Sequence, residues 1–415
     1  MGHRNARLPK LQHPLPAASL KRAAACYDGI SMCGDGGTAR KEKDMAYLGE
    51  GTTKLGFGLM RLPRLEDGSI DVPQVSQMVD EFLAAGGTYF DTAWAYGGSE
   101  EAIRQALVER YPRDSYTLAT KNAAWLGPKD ADEAKAQLDV SLERSGASYF
   151  DYYLLHNLGA GRTAFFEKWG MWDWAKEMKT EGKIRHLGFS FHDNAETLKR
   201  ILDVHADDAE FIQLQINYAD WEDGSVQSHK CWEVARSFGK PIVIMEPVKG
   251  GMLAAPPEPV EQILRAAEPD RTPVEWALRF AMNTEGLIAC LSGMSSLEQM
   301  RQNLATLSRL SPLTDQEVAT LAAAREKLAE LIAVPCTGCH YCMEDCPVGM
   351  PIANIMESLN RAALYGLDKG KGNYGFATRE GTKASDCIQC GQCEAACPQH
   401  INIIEQLETA AERFE

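Results

Sequence analysis

The chain has 415 residues, enough for about two domains. With 43 basic against 58 acidic residues it carries a formal charge of -15, which argues against a nucleic-acid partner. It has no apolar run long and uncharged enough to suggest a membrane span.

Residues 1 to 44 differ from the rest. They are rich in Arg, Lys, Pro and Gly, net positive and without sustained apolar periodicity, so they are expected not to fold with the remainder of the chain. A transit peptide would be basic and poor in acids, but prolines at positions 9, 14 and 16 spoil an amphipathic helix. A misplaced start codon is the favoured alternative. The stretch RKEKD before Met45 can be encoded almost wholly in purines, as a bacterial ribosome-binding site would be.

From about residue 54, short apolar runs alternate with longer amphipathic stretches, the pattern of parallel strands with helical crossovers. The strand candidates are KLGFGLM (54 to 60), TYFDTA (88 to 93), YTLATK (116 to 121), DYYLLH (151 to 156), IRHLGFS (184 to 190), FIQLQIN (211 to 217), PIVIMEP (241 to 247) and LIACLSG (287 to 293). Stretches such as VPQVSQMVDEFLAAG, SEEAIRQALVER and DEAKAQLDVSLERSG read as helices between them. Eight successive βα units close a TIM barrel, and the fold class is therefore α/β, a (β/α)8 barrel over residues 45 to 312. An open doubly wound sheet is the rival. It would usually show G-x-G-x-x-G after the first strand, and none stands there.

Functional side chains of such a barrel gather at the C-terminal ends of its strands. Asp91, Tyr96, Lys121 and His156 lie at or just past the ends of the second, third and fourth candidates. Singly they read as a helix cap, a packed aromatic, a solvated lysine and a satisfied core histidine. Taken together, FDTAWAYGGSE with Asp91 and Tyr96 five apart, LATK ending in Lys121 and YYLLHN holding His156 resemble the catalytic tetrad of the aldo-keto reductases. The likeness continues in GLMRLP, GKIRHLGFS, LQINY and SSLEQMRQN and covers roughly residues 52 to 310.

The resemblance implies hydride transfer between a nicotinamide cofactor and a carbonyl or alcohol. Tyr96 would then donate the proton, with Lys121 lowering its pKa from the usual ~10. Asp91 would fix Lys121, and His156 would orient and polarise the carbonyl oxygen. The resemblance also places Ser190 and Gln215 at the nicotinamide carboxamide and Asn303 at the adenine edge. Elsewhere the match loosens. Phe191 and His192 follow Ser190 where relatives often have asparagine, and Met245 stands where many have a stacking tyrosine, followed by Glu246 and Lys249. Gly293, Ser295 and Ser296 replace a common phosphate-binding lysine, with backbone NH groups at a helix start able to receive a phosphate. NADP(H) is expected ahead of NAD(H), and Arg301 could add charge nearby. Loops after the fourth, seventh and eighth strands offer Trp125, Trp169, Trp172 and Trp221 as pocket walls or as packing.

Residues 313 to 415 read as a linker helix and a small helix-rich ferredoxin-like domain. CTGCHYCMEDCP (336 to 347) and CIQCGQCEAACP (387 to 398) repeat C-x2-C-x2-C-x3-C-P, the spacing of bacterial proteins with two 4Fe-4S clusters. The fourth cysteine of each run ligates the other cluster in such proteins. The expected sets are Cys336, Cys339, Cys342 and Cys397, and Cys387, Cys390, Cys393 and Cys346. Structural zinc is the alternative, but it needs only four ligands in a tetrahedron. The segment PIANIMESLNRAALYG between the runs has apolar positions at helical spacing.

Eight of the 12 cysteines are used in these runs, while Cys26, Cys33, Cys231 and Cys290 show no pairing pattern. That usage fits a reducing cytoplasm. Hydride transfer moves two electrons together and a cluster ordinarily one. Three explanations remain: the clusters serve a separate reductive step, wire the barrel to a redox partner protein, or staple the module. The leading expectation is an iron-sulfur aldo-keto reductase acting on a small carbonyl or alcohol. An electron-transferring oxidoreductase and a nucleotide- or redox-sensing regulator are the alternatives.

Overall fold

The computed structural model describes residues 48 to 415 except Glu50, Ser225, Pro335, residues 337 to 340, Asp345, Glu380 and residues 398 to 400. The extension over residues 1 to 44, with Cys26 and Cys33, and the predicted ligand Cys339 lie outside the described residues.

Eight strands run in parallel and close on themselves in sequence order: β1 (Leu55–Gly58), β2 (Tyr89–Asp91), β3 (Thr117–Asn122), β4 (Phe150–Leu158), β5 (Ile184–Phe191), β6 (Phe211–Gln215), β7 (Ile242–Met245) and β8 (Leu287–Ser292). Every predicted strand is present. The open-sheet alternative fails because β1 pairs with β8, Leu55 opposite Cys290. These strands read as near-continuous apolar runs because barrel strands are covered on both faces. Inside, Tyr89, Tyr152, Phe211, Val243, Ile288 and Leu291 form one cluster, with Tyr152 at 5.0 Å from Phe211 and 5.2 Å from Tyr89, ring centre to ring centre. Outside, helices bury a second and larger layer against the strands. Each such fully buried apolar side chain contributes roughly 1.5 to 3 kcal/mol.

The helices begin where short polar residues accept from backbone NH groups in the first turn. Asp71, Asp130, Asn194, Thr272, Ser296 and Thr314 all cap in this way. The stretch expected as one helix from Ser99 instead divides into an α-helix, Ser99–Ile103, and a π turn, Arg104–Val108. Gly188 brings β5 close to β6, since a Cβ there would lie 2.5 Å from the Phe211 carbonyl oxygen. That contact sets the spacing of the two strands that carry Ser190 and Gln215.

The helix Asp315–Glu330 packs on the barrel's outer layer. Leu321, Ala324 and Leu328 join Leu253, Val260, Leu264 and Trp276 in one buried cluster. Beyond it a second core gathers Met350, Ile355, Met356, Leu359, Tyr374, Leu407 and Phe414. This region is helical, with Ile352–Tyr365, Leu367–Ala377 and Ile403–Phe414 its longest elements. Asn360 ties it to the linker through two hydrogen bonds, taking the Val334 NH on Oδ1 and giving Nδ2 to the Val334 carbonyl, each at 2.8 Å. Among the described residues no helix is long and apolar enough to cross a membrane.

Candidate active site

Asp91 ends β2, Lys121 lies in β3 and His156 in β4, so neighbouring strands deliver all three to one mouth of the barrel. Tyr96 comes from the loop after β2. Lys121 Nζ donates to Asp91 Oδ1 at 2.5 Å and to the Thr92 carbonyl at 2.7 Å. It stands 4.9 Å from the centre of the Tyr96 ring. The Tyr96 and His156 rings meet edge to face with centres 5.9 Å apart. The four residues thus come together around one point, as the motif spacing implies.

Burial decides the charges. Lys121 is 1 % exposed, and burial, the largest single influence, favours the neutral amine, yet Asp91 and Tyr96 together more than offset this and its pKa is raised. For Tyr96 the expected sign is reversed. Lys121 does pull the phenol down, but burial pushes it up by more, so its pKa is raised. His156 is 9 % exposed, and burial first, then the positive charge of Lys121, hold its pKa well below the usual value. Its ring is therefore neutral near pH 7. The buried His156 Nδ1 has no hydrogen-bond partner among the described residues, so the mouth holds an orphaned polar atom that a bound ligand would satisfy.

The residues predicted for the cofactor line the same end. Ser190, 1 % exposed, accepts the Asn157 NH at 2.7 Å, and Asn157 adopts φ 61° directly after His156. Gln215 gives its Nε2 to Asp220 at 2.8 Å. Met245 closes β7, half-buried. Ser296 caps the helix Leu297–Ser308, and Ser295 Oγ donates to the Arg61 carbonyl at 2.7 Å. Asn303 turns inward, 4 % exposed, and donates Nδ2 to Ser292 at 2.9 Å. His192 and Gln215 share a cavity of about 240 Å³ with Phe191, Asp193, Leu214 and Cys231.

Two expectations need correction. The Arg301 charge is already engaged, its guanidinium pairing with Glu81 at 2.6 and 2.9 Å. Trp125 follows β3 and Trp221 follows β6, not the strands expected. Of the four tryptophans, Trp125 reaches the mouth, donating Nε1 to the His156 carbonyl at 2.8 Å. Trp172 is buried outside the barrel, stacked on His205, while Trp221 stacks on His229 and packs on Trp232 and Phe280. Sequence reasoning missed Arg61, whose half-exposed side chain lies along Gly293 and sits 3.8 Å from Glu246. Its place in GLMRLP was the available signal.

In the C-terminal region Cys346, Cys387, Cys390 and Cys393 line one cavity. These four are the set that the interleaved spacing assigns to a single cluster. The walls between them are apolar: Pro347, Val348, Met350, Ile352, Ile404 and Leu407. The Met350 NH points at Cys346 Sγ and the Gln389 NH at Cys387 Sγ, both at 3.4 Å, the kind of donor that steadies a thiolate. Cys336, Cys342 and Cys397 share one apolar core with Cys346, Cys387 and Cys393. Among the described residues no three His, Cys, Asp or Glu side chains converge as a single metal ion requires. Cysteines spaced around a cavity fit a cube better than a lone ion. Cys231 and Cys290 are buried, and burial raises both thiols, Cys231 to about 12.

The profile of the Aldo/keto reductase family matches residues 54–326, and that of the 4Fe-4S dicluster domain matches residues 335–402. Aldo-keto reductase str7 of Strobilurus tenacellus is 32% identical over 214 residues, 48% of this chain and 60% of its own length. L-galactose dehydrogenase of Arabidopsis thaliana is 25% identical over 294 residues, 66% of this chain and 88% of its own. The chain spans 60% and 41% of the first two curated relatives that it matches. Among solved structures, aldo-keto reductase AKR11C1 from Bacillus halodurans in its holo form superposes with a TM-score of 0.53 at 24% identity, covering 66% of this chain and 92% of that one. An aldo-keto reductase from Klebsiella pneumoniae in complex with NADPH gives 0.51 at 23%, covering 66% and 90%. At these identities the two structures establish the barrel fold.

Proposed function

The chain belongs to the aldo/keto reductase family and carries a C-terminal 4Fe-4S dicluster domain, and from that premise we propose that it moves a hydride between NADP(H) and a small carbonyl or alcohol. The observation that carries this reading is the buried Lys121–Asp91 pair at 2.5 Å beside Tyr96 and His156.

A bound nicotinamide dinucleotide supplies the hydride for reduction, or accepts it in the reverse direction. The chain's own groups manage the charge that results. A neutral His156 donates a hydrogen bond to the substrate oxygen and polarises it. Tyr96, protonated at neutral pH, gives its proton to that oxygen. The fixed ammonium of Lys121 stabilises the tyrosinate left behind, and Asp91 holds the ammonium in place. In the oxidative direction the phenolate takes the proton back.

Ser190, Gln215 and Met245 would hold the nicotinamide end. Gly293, Ser295, Ser296 and Asn303 would hold the adenosine end. Arg61 beside Gly293 adds a cation there and favours NADP(H) over NAD(H). A Klebsiella relative of the same fold is described with NADPH.

For the C-terminal region we propose two 4Fe-4S clusters, one on Cys336, Cys339, Cys342 and Cys397, the other on Cys387, Cys390, Cys393 and Cys346. Such clusters supply one-electron transfer when bound. Cys390, exposed at the rim of its cavity, favours a second reading in which electrons pass to a redox partner protein. The proposed division is a barrel over residues 45 to 312 and a linker helix with the cluster module over 313 to 415, acting in the cytoplasm.

The test is anaerobic NADPH oxidation against a panel of aldehydes and ketones, with the wild-type protein beside Tyr96→Phe. Turnover with at least one carbonyl that Tyr96→Phe abolishes supports the reading. Equal rates in the two proteins, or no turnover at all, overturn it.

A further inference from the structure

Asp220 lies five residues beyond Gln215 and is 1 % exposed. Three side chains converge on its carboxylate. Oδ2 accepts from Gln215 Nε2 at 2.8 Å and from Asn217 Nδ2 at 2.7 Å, while Oδ1 pairs with Lys249 Nζ. Asn217 also donates to the Glu246 carbonyl at 3.1 Å and accepts the Asp220 NH at 2.9 Å. One buried carboxylate therefore binds the loop after β6 to the loop after β7.

This arrangement has a chemical consequence for Gln215. A side-chain amide has a donor end and an acceptor end, and a half-turn exchanges them. An ionised carboxylate only accepts. With Asp220 on one side, the NH2 end of Gln215 is committed to it and the carbonyl end is turned the other way. The Gln215 side chain also lies within hydrogen-bonding reach of His192, in the cavity the two residues share. A primary amide entering the cavity would meet a fixed acceptor instead of a rotor.

The cysteine-bearing module reaches the same loop from the other side. The helix Ile352–Tyr365 ends with Leu364 packed on the cluster of Tyr218, Leu253 and Trp276, with Ala219 alongside. Tyr365 follows directly, close enough that the Asp220 charge adds to the effect of burial in raising its phenol to about 12. Tyr218 and Ala219 thus share one apolar cluster with Leu364 of the module, and Asp220, next in the chain, holds Gln215.

We propose that Asp220 is a positioning residue, fixing the Gln215 amide for the nicotinamide carboxamide, and that Leu364 and Tyr365 of the module support it. The barrel's affinity for its cofactor then depends on the docked module. This rests on the functional reading above, in which Gln215 meets the carboxamide.

The experiment titrates NADPH by fluorescence into the full chain with its iron-sulfur content measured. Asp220→Asn should weaken NADPH binding about tenfold while kcat at saturating NADPH stays within about twofold. Leu364→Ala, at a half-buried position, should weaken binding about threefold with unchanged iron content. Added to Asp220→Asn, it should change nothing further, because both act through one residue. Unaltered NADPH affinity in folded Asp220→Asn overturns the proposal, as does unaltered affinity in Leu364→Ala or strict additivity of the two. A wild-type chain that binds neither NADPH nor NADH overturns the functional reading and this proposal with it.

Discussion

Lys121 and Asp91 meet across neighbouring strands, Nζ to Oδ1 at 2.5 Å, with side chains 1 % and 4 % exposed. Neither could be held charged at that depth without the other. Asp91→Asn leaves the ammonium with a neutral partner, and the variant should lose about 3 kcal/mol of stability in urea unfolding. Carbonyl reduction should fall by at least about tenfold as Lys121 loses its anchor. Wild-type stability and wild-type rate together would mean the pair is idle.

Tyr96 has its pKa raised by burial despite Lys121. A raised value keeps the donor's proton in place through neutral pH, and the donor is lost only as pH climbs past the usual phenol value of ~10. The kcat for carbonyl reduction should therefore stay level from about pH 7 to 9 and decline above about pH 10. Tyr96→Phe should lower it by at least about a hundredfold with NADPH affinity retained. A decline centred below pH 9 would show that the lysine, not burial, governs the phenol.

The shared cavity ties Cys346 to the second cysteine run. Cys346→Ser and Cys387→Ser should each remove about half of the bound iron and the same reduced-cluster signal in electron paramagnetic resonance. Cys397→Ser should remove the other signal. Loss of one common signal by Cys346→Ser and Cys342→Ser, with the second intact, would assign each run its own cluster.

Glu210 offers a test of pH-linked stability away from the mouth. Burial alone would raise its carboxyl, but His186 at 3.0 Å, Lys179 at 2.6 Å and the Leu187 NH at 2.9 Å together bring it to about 2. A lowered folded pKa means that the stabilisation is present above the unfolded value of ~4.5 and fades as pH falls toward 2. Glu210→Gln should cost about 1 kcal/mol at pH 7, a modest figure because the cluster is partly solvated. That gap should shrink by about half at pH 3. A gap independent of pH would exclude an ionic origin.

The sequence made the barrel legible because parallel strands covered on both faces must be apolar almost without interruption, as in LGFG of β1 and IVIM of β7. The tetrad was legible because its members follow successive strands of one sheet. Distant partnerships were not. Arg301 reads as a cation near the phosphate end until its contact with Glu81, 220 positions away, is seen. Asp220 reads as an ordinary loop acid, and only the fold brings Lys249 to it. The sign of the Tyr96 shift depends on how much water the mouth admits, a property of the closed barrel and not of the segment FDTAWAYGGSE.

The helix Asp315–Glu330 is joined to the barrel by more than apolar packing. Glu317 accepts from Arg271 at 2.5 Å and from Arg279 at 2.8 Å, and Arg279 is 4 % exposed. A chain cut after residue 312 would take the Glu317 carboxylate from both guanidinium groups, uncover Leu253, Leu264 and Trp276, and be prone to aggregate. A cut beyond Glu330 spares both. The helix thus serves the barrel it covers, although the proposed division counts it with the cysteine-rich module.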